Sequence, residues 1–570
     1  MKKLFIIFSA VAVGLISSCQ KDYLNVKKID ANISTDLLYS NYPYFQSAVY
    51  NAYSYLPDGL GNITMEAASD FAEATNVTDN SQLFNLGIWS QYLLPDSYWT
   101  LGFGGIRQAN LVLKNFNKVN LQAKLDKING PDSTDYKNSV YWVKMSEGEM
   151  YFLRAFYYFE LVKRYGPMPI MDTAVDYNNP DSYIGMKRNT LDECIKYIVS
   201  NCDKAAAILP VTAANGYDQG LALQGAALAL KARTLLYAAS PLYKEAGCTA
   251  TWDDAAKAAN AVIALNAYSL ESNYKTIFGS SNVGSKEAIF YKRYGAINTL
   301  EASNYPIAFQ GATGNSLTPT QNFVDEFEVV TRDAAKNPVS SVPFDWNNPV
   351  HAANPYANRD PRLDSTLYHD GSVFSGFTTA TIETFTGGSS GLPKQNASKT
   401  GYYLAKYVNA TINLNNGGTG TTAAHAWIYF RYAEILLDYA EAMYNANGPV
   451  NNPNGYKMTA LEAINAIRNR SSVKMPLYTA ANLTADAIQH ERNVELGMEG
   501  HRFWDVRRLK NGVAVLNAPV YRVEITKSGT SKTYVRKKLE DRVYLKKMDW
   551  YPIPQSEITK TGWNQNGDWK

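Results

Sequence analysis

At 570 residues, with a net charge of only +3 and a pI near 8.3, the chain is long enough to bury a large core. It carries no dense basic stripe, which argues against a nucleic-acid partner. The aromatic content is high: 41 Tyr, 10 Trp and 21 Phe, or 13% of the chain. Such rings serve a core first, and those with polar tips also suit stacking on sugar faces.

The chain opens on Lys2 and Lys3, followed by an almost unbroken apolar run over 4–16. As a helix this run reaches about 20 Å, short of the ~30 Å hydrocarbon core of a bilayer. The length fits an export signal better than a membrane span. It ends in Ile16-Ser17-Ser18-Cys19, which looks like a bacterial lipobox. We therefore expect a signal peptide over 1–18 and lipidation of Cys19, anchoring the chain to a membrane without crossing it. Cys194, Cys202 and Cys248 are an odd number after lipidation, and no disulfide framework is expected.

Periodicity predicts helices over 45–56, 98–116 and 140–165, the last stopped by Gly166-Pro167. Further helices are expected over 190–209, 225–239 and 252–265, the last two alanine-rich and divided by Ser240-Pro241. These read as divergent tetratricopeptide-type hairpins without a clean repeat period. From about 266 to 424, Gly, Ser, Thr and Asn rise and helical spacing fades, leaving a loop-rich stretch with short strands such as 402–408. Helix returns over 426–447, 459–470 and 484–496, with Thr484 placed as an N-cap. Tyr551-Pro552-Ile553-Pro554 is extended.

Sites for chemistry are scarce. Gly387-Gly388-Ser389-Ser390-Gly391 matches a nucleophile-elbow pattern by its letters, but no strand precedes it and no helix follows. The five histidines are too scattered for a helical metal motif, and no phosphate-cradling loop is present. The densest charged run, 491–510, reads ERNVELGMEGHRFWDVRRLK. Arg492 with Glu495, Glu499 with Arg502, and Asp505 with Arg508 have the three-residue spacing of local ion pairs, so the run reads as structural and not catalytic.

The same run resembles the C-terminal signature of the SusD/RagB family, an ER..E…EG.R..D..R string followed by a P-I-P segment, here Tyr551-Pro552-Ile553-Pro554. Trp563-Asn564-Gln565-Asn566-Gly567 is similar to the family's closing Q-N-P-G-Y, without its proline. Other matches fall in order: Arg154-Ala155 through Tyr165-Gly166-Pro167, Leu230-Lys231-Ala232-Arg233 through Ser240-Pro241, Arg359-Asp360-Pro361-Arg362, and Arg431-Tyr432-Ala433-Glu434 through Glu441-Ala442. The resemblance implies a mainly α, SusD-like fold, with four tetratricopeptide-like helix pairs supporting an irregular loop-rich region and a few short strands. We expect one such domain over 19–570, helical over about 40–265, irregular and insertion-rich over about 266–424, and helical again over about 425–570.

The resemblance also implies a function: a lipid-anchored outer-membrane protein at the cell surface, capturing oligo- or polysaccharide for a SusC-like TonB-dependent transporter. From the residues themselves no cofactor, catalytic residue or metal ligand is assigned. Capture of peptide or another nutrient, and a surface glycoside hydrolase, are the alternatives. By resemblance, sugar-stacking aromatics sit on loops near the N-terminal third and in the irregular middle. The first candidate region offers Asp70 as a hydroxyl partner with Trp89, Tyr92 and Trp99. Trp89 stands among Gly, Ser and Gln and is expected to be exposed, whereas Trp99 starts a helix with an apolar face of its own. The second region offers Tyr294 and Tyr305, flanking a Gly/Asn/Ser loop, and Trp346 among Pro, Asp and Asn.

Overall fold

The computed structural model describes residues 34–569, apart from 62, 126–128, 177–178, 180–184, 214–216, 218, 280–281, 310, 315–316 and 416–419. The expected signal peptide and Cys19 lie outside the described residues.

Among the described residues, the helices that organise the fold are α1 (Tyr42–Tyr53), α2 (Trp99–Asn115), α3 (Thr134–Tyr165), α4 (Leu191–Ile208), α5 (Gln224–Ala239), α6 (Trp252–Ala264), α7 (Tyr432–Asn447), α8 (Ala460–Arg468), α9 (Ala485–Leu496) and α10 (Arg502–Arg508), with shorter helical turns between them. Their ends follow local chemistry. Thr190, Thr251 and Thr459 each accept from the backbone N–H three residues on, while an acidic side chain at that position returns the bond. Helix α3 stops at Gly166, whose φ of 71° an L side chain rarely adopts.

From α2 to α8 each helix packs on the next, and α9 packs on α7. Taken as α1/α2, α3/α4, α5/α6 and α7/α8, these are the four helix pairs that the resemblance implies. Alanines on the facing sides of α5 and α6 are buried, among them Ala226, Ala229, Ala255 and Ala259, which lets the two backbones approach closely. Helix accounts for 44% of the structure and strand for 14%, and each sheet among the described residues has two strands, so the fold is mainly α. Cys194, Cys202 and Cys248 are buried as free thiols.

Two expectations are corrected. The helix predicted over 426–447 starts only at Tyr432; before it, Ala423–Arg431 is a strand paired antiparallel with Ala288–Ile297. Every residue from His425 to Arg431 is buried, so this stretch shows neither the alternation of a half-buried strand nor a polar helix face. The C-terminal part is also not helical throughout, because Val520–Ser528 and Ser531–Glu540 form an antiparallel hairpin.

The charged run is structural, but through other partners than the spacing suggests. Of the three local pairs, only Asp505 with Arg508 forms, at 2.6 Å. Glu495 instead receives Arg431, Arg470 and Arg362 at 2.8, 2.8 and 2.9 Å. Arg492 reaches Asp438 and Asp505, Glu499 holds Arg431 and Lys406, and Arg502 reaches Asp70. Helix α9 ends at Leu496, so residues 499 and 502 no longer share its face with 492 and 495. The signature residues tie α9 and α10 to α7, to the irregular region and to the N-terminal loops.

Candidate ligand-binding face

Four of the seven aromatic and acidic candidates lie inside the protein. Asp70 is buried and spent on Arg502, with both carboxylate oxygens 2.9 Å from the guanidinium, and it offers nothing to a ligand hydroxyl. Trp89 is 2% exposed, packed against Phe84, Tyr551 and Trp569 with ring centroids at 4.9, 5.0 and 4.6 Å. Its expected exposure is corrected: the small polar residues beside it in sequence carry no information about two aromatics from the far end of the chain. Trp99 is buried edge-on to Tyr165, as its helix face suggested. Tyr305 is fully buried, its hydroxyl directed at the carbonyls of Asn409 and Ile412. Trp89→Ala should therefore cost about 3–5 kcal/mol of stability, the range for emptying a packed aromatic site. A lowered thermal midpoint would be measured, with ligand retention unchanged below the transition.

Tyr92, Tyr294 and Trp346 remain at the surface. Tyr92 is 76% exposed on a loop with exposed Leu93 and Ile88. Tyr294 lies on Ala288–Ile297 and is half-buried. Its hydroxyl donates to Asp58 Oδ1 at 2.5 Å, and the Leu60 N–H donates to that hydroxyl at 3.4 Å. Burial and the Asp58 carboxylate push the phenol above its usual range, so it stays a neutral donor. Lys292 Nζ stands 5.5 Å from the ring centroid. Tyr294 borders a cleft of ≈ 390 Å³ whose walls include Asp58, Ile297, Thr299, Leu300 and Ser303.

The Asp58 loop has no freedom to drift. A Cβ on Gly59 would sit 2.2 Å from the Trp427 indole, so only glycine allows this approach, and Trp427 is stacked in turn on Tyr407. Asp58 is thus held beside Tyr294 by the buried strand behind it, a neighbour that sequence reasoning missed. Nothing in the local letters around Asp58 marks it.

Trp346 is the second surface aromatic, half-buried and edge-on to Phe344 at 5.2 Å. Its Nε1–H donates to Asp325 Oδ1 at 3.1 Å, and Gln321 donates to the same oxygen at 2.7 Å. Arg536 of the hairpin stands with Nε 3.3 Å from Asp325 Oδ2 and lies over the Tyr521 ring, 3.4 Å from its centroid. An aromatic plane edged by a guanidinium that itself rests on Tyr521 offers stacking beside a charged donor.

Inward of the Asp58 loop lies a smaller cavity of ≈ 140 Å³, lined by Glu66, Glu160, Lys163, Arg164, His501 and others. Burial pushes the Glu66 carboxyl up to about 7 and the Lys163 ammonium down to about 8. Glu160 is held by Lys163 and Arg164, and Glu499 by Lys406 and Arg431. Ser389, the letter match to a nucleophile, sits in a turn with no helix after it. Among the described residues, no group of three or more His, Cys, Asp or Glu side chains is placed to hold a metal ion, and no helix is long and apolar enough to cross a membrane.

Comparison with known proteins covers most of the chain. The family model described as SusD family matches residues 286–569, and one described as starch-binding associating with outer membrane matches residues 22–236. SusD-like protein P2 of Formosa agariphila is 26% identical over 433 residues, spanning 74% of this chain and 72% of that protein. A SusD-like protein from Bacteroides fragilis superposes with a TM-score of 0.74 at 25% identity, over 93% of this chain and 98% of its own. Surface glycan-binding protein A from Bacteroides thetaiotaomicron, solved in complex with laminarihexaose, shares the fold at a TM-score of 0.59 and 18% identity, over 92% of this chain and 100% of its own.

Proposed function

The chain belongs to the SusD/RagB family, and from that membership we propose that it captures oligo- or polysaccharide at the surface of the outer membrane. It is held there by lipid on Cys19, as a single SusD-like domain over 19–570, and delivers its ligand to a SusC-like TonB-dependent transporter. The observation that carries this reading is a pair of half-buried aromatic rings, each tied by its polar edge to a carboxylate: Tyr294 to Asp58 and Trp346 to Asp325. Fixing a ring in this way lowers the ordering cost of stacking while leaving part of its face to a sugar. Tyr92, exposed on its loop, is a further contact.

Capture without cleavage is favoured by how the carboxylates are used. Hydrolysis needs a protonated acid and a second carboxylate facing each other across the scissile bond. Glu66 holds its proton readily enough, but Glu160 and Glu499 beside it are each committed to two cations. Retention of the soluble chain, from Gln20 onward, on a panel of polysaccharides is the test, with released sugar assayed in the same mixtures. One or more glycans should retain the chain without product. Released sugar would make it a hydrolase, and failure of every glycan would turn the reading to peptide or another nutrient.

A further inference from the structure

The C-terminal hairpin carries more positive charge than the rest of the molecule can account for. Between Val520 and Glu540 stand Arg522, Lys527, Lys532, Arg536, Lys537 and Lys538 against only Glu524 and Glu540, a net of +4 where the whole chain has +3. Part of this charge is used locally: Glu524 takes Arg522 and Lys537, and Asp541 takes Lys538. Lys527, Lys532 and Arg536 are left, facing Asp370 and Asp325.

Their placement works against stability. Lys527 and Lys532 are direct cross-strand partners, where like charges repel. Both ammonium groups also lie over one ring, at 4.6 and 5.4 Å from the Phe385 centroid, a cation–π attraction that offsets part of this repulsion while keeping the two charges close. Asp370 serves Lys532 alone, and its other oxygen accepts from the backbone N–H groups of Thr384 and Phe385. Lys527 has no carboxylate partner among the described residues. Lys527 is exposed and Lys532 half-buried, and the strand pairing holds their backbones together.

Arg536 repeats the theme at the other end of the same strand face. Four residues from Lys532, it lies about 14 Å along the strand. It rests on Tyr521 and shares Asp325 with Trp346, one of the two proposed stacking rings. Asp325 is occupied by Gln321 and Trp346 as well, so it is a thin counter-charge for a guanidinium. A planar guanidinium beside an aromatic plane suits a carboxylate or sulfate oxygen pair, and two ammoniums over a ring suit a second such group.

Resting on the glycan reading above, we infer that the captured glycan is anionic. Its carboxylate or sulfate-ester groups meet Arg536 beside Trp346 at one end of the hairpin and the Lys527–Lys532 pair at the other. A chain of a few sugars spans the two points.

The test is affinity electrophoresis of the soluble chain through gels holding a neutral β-glucan, a polyuronate or a sulfated galactan, at low and at raised salt. The anionic gels should retain the chain and the neutral one should not, with retention falling steeply as salt rises. Whether the uronate or the sulfated gel retains it decides which anion is read. Lys527→Gln and Arg536→Gln should each weaken retention by about five- to tenfold. Lys257→Gln, which removes an exposed charge from α6, should leave it unchanged and so excludes a general charge effect. Retention by the neutral glucan, or equal retention of Lys527→Gln, Arg536→Gln and the native chain, overturns the inference and leaves glycan capture standing. No retention by any gel overturns both.

Discussion

Glu495→Gln is expected to destabilise the folded chain by about 3–5 kcal/mol, the cost of removing one partner from a buried ion pair. Glu495 is fully buried and is the meeting point of three arginines, Arg362, Arg431 and Arg470, which arrive from the irregular region, the strand before α7 and the end of α8. A glutamine keeps the volume and one acceptor, so the loss is electrostatic and not a cavity. Those three guanidinium groups hold the Glu495 carboxyl well below the usual carboxylate range, although burial alone would raise it. A depressed native pKa gives stability that is present above the unfolded value, near 4.3, and drains away as pH falls below it. The native chain should accordingly lose stability steeply below about pH 4, and Glu495→Gln should flatten that limb while lowering the plateau at neutral pH. Thermal melts of both proteins from pH 3 to pH 8 measure the two effects together. A plateau lowered by less than about 1 kcal/mol would mean that the remaining carboxylates, Glu287 on Arg431 and Arg470, Glu491 on Arg362 and Glu499 on Arg431, compensate the arginines without Glu495.

The network also shows where sequence reasoning stops. That residues 491–510 build structure is legible in the alternation of charges, because so many paired residues around two glycines suit no catalytic cleft. Which residues pair is not legible. Spacing speaks only for residues on one helix face, and the break at Leu496 puts Glu499 and Arg502 beyond that face. Their partners, Lys406, Arg431 and Asp70, are brought near by tertiary packing alone. Helix starts behave in the opposite way. Thr190, Thr459 and Thr484 cap their helices through bonds three residues long, so a short window of sequence holds everything needed to place them.

Burial divides the site residues in the same manner. Trp99 could be placed because its helix has an apolar face. Trp89 could not, because it is covered by Tyr551 and Trp569. Asp58 escaped notice since its role arises from Tyr294 and from Trp427 behind Gly59, both far along the chain. The strand at Ala423–Arg431 that supplies Trp427 is itself the element misread as helix.

Trp346→Ala and Tyr294→Ala should each reduce glycan retention by about two- to tenfold, at little cost to stability. A sugar stacked on one ring gains about 0.5–1.5 kcal/mol, and tenfold in affinity corresponds to about 1.4 kcal/mol. Starting from weak capture, in roughly the micromolar to millimolar range, the double variant should bind too weakly to detect. Both rings are half-buried, so truncation removes little packed volume, and thermal midpoints should stay close to the native value. Tyr294→Phe separates the two parts of the argument. It keeps the ring but leaves Asp58 without the phenol, so its retention should fall between the native chain and Tyr294→Ala if anchoring matters, and equal the native chain if only the face does. Affinity electrophoresis on the retaining glycan gives the comparison, with melts of the same preparations as control. If either alanine variant is retained as well as the native chain, that ring lies outside the ligand's path. If both are, capture belongs to another part of the surface, with Tyr92 and its exposed loop the next to be tested.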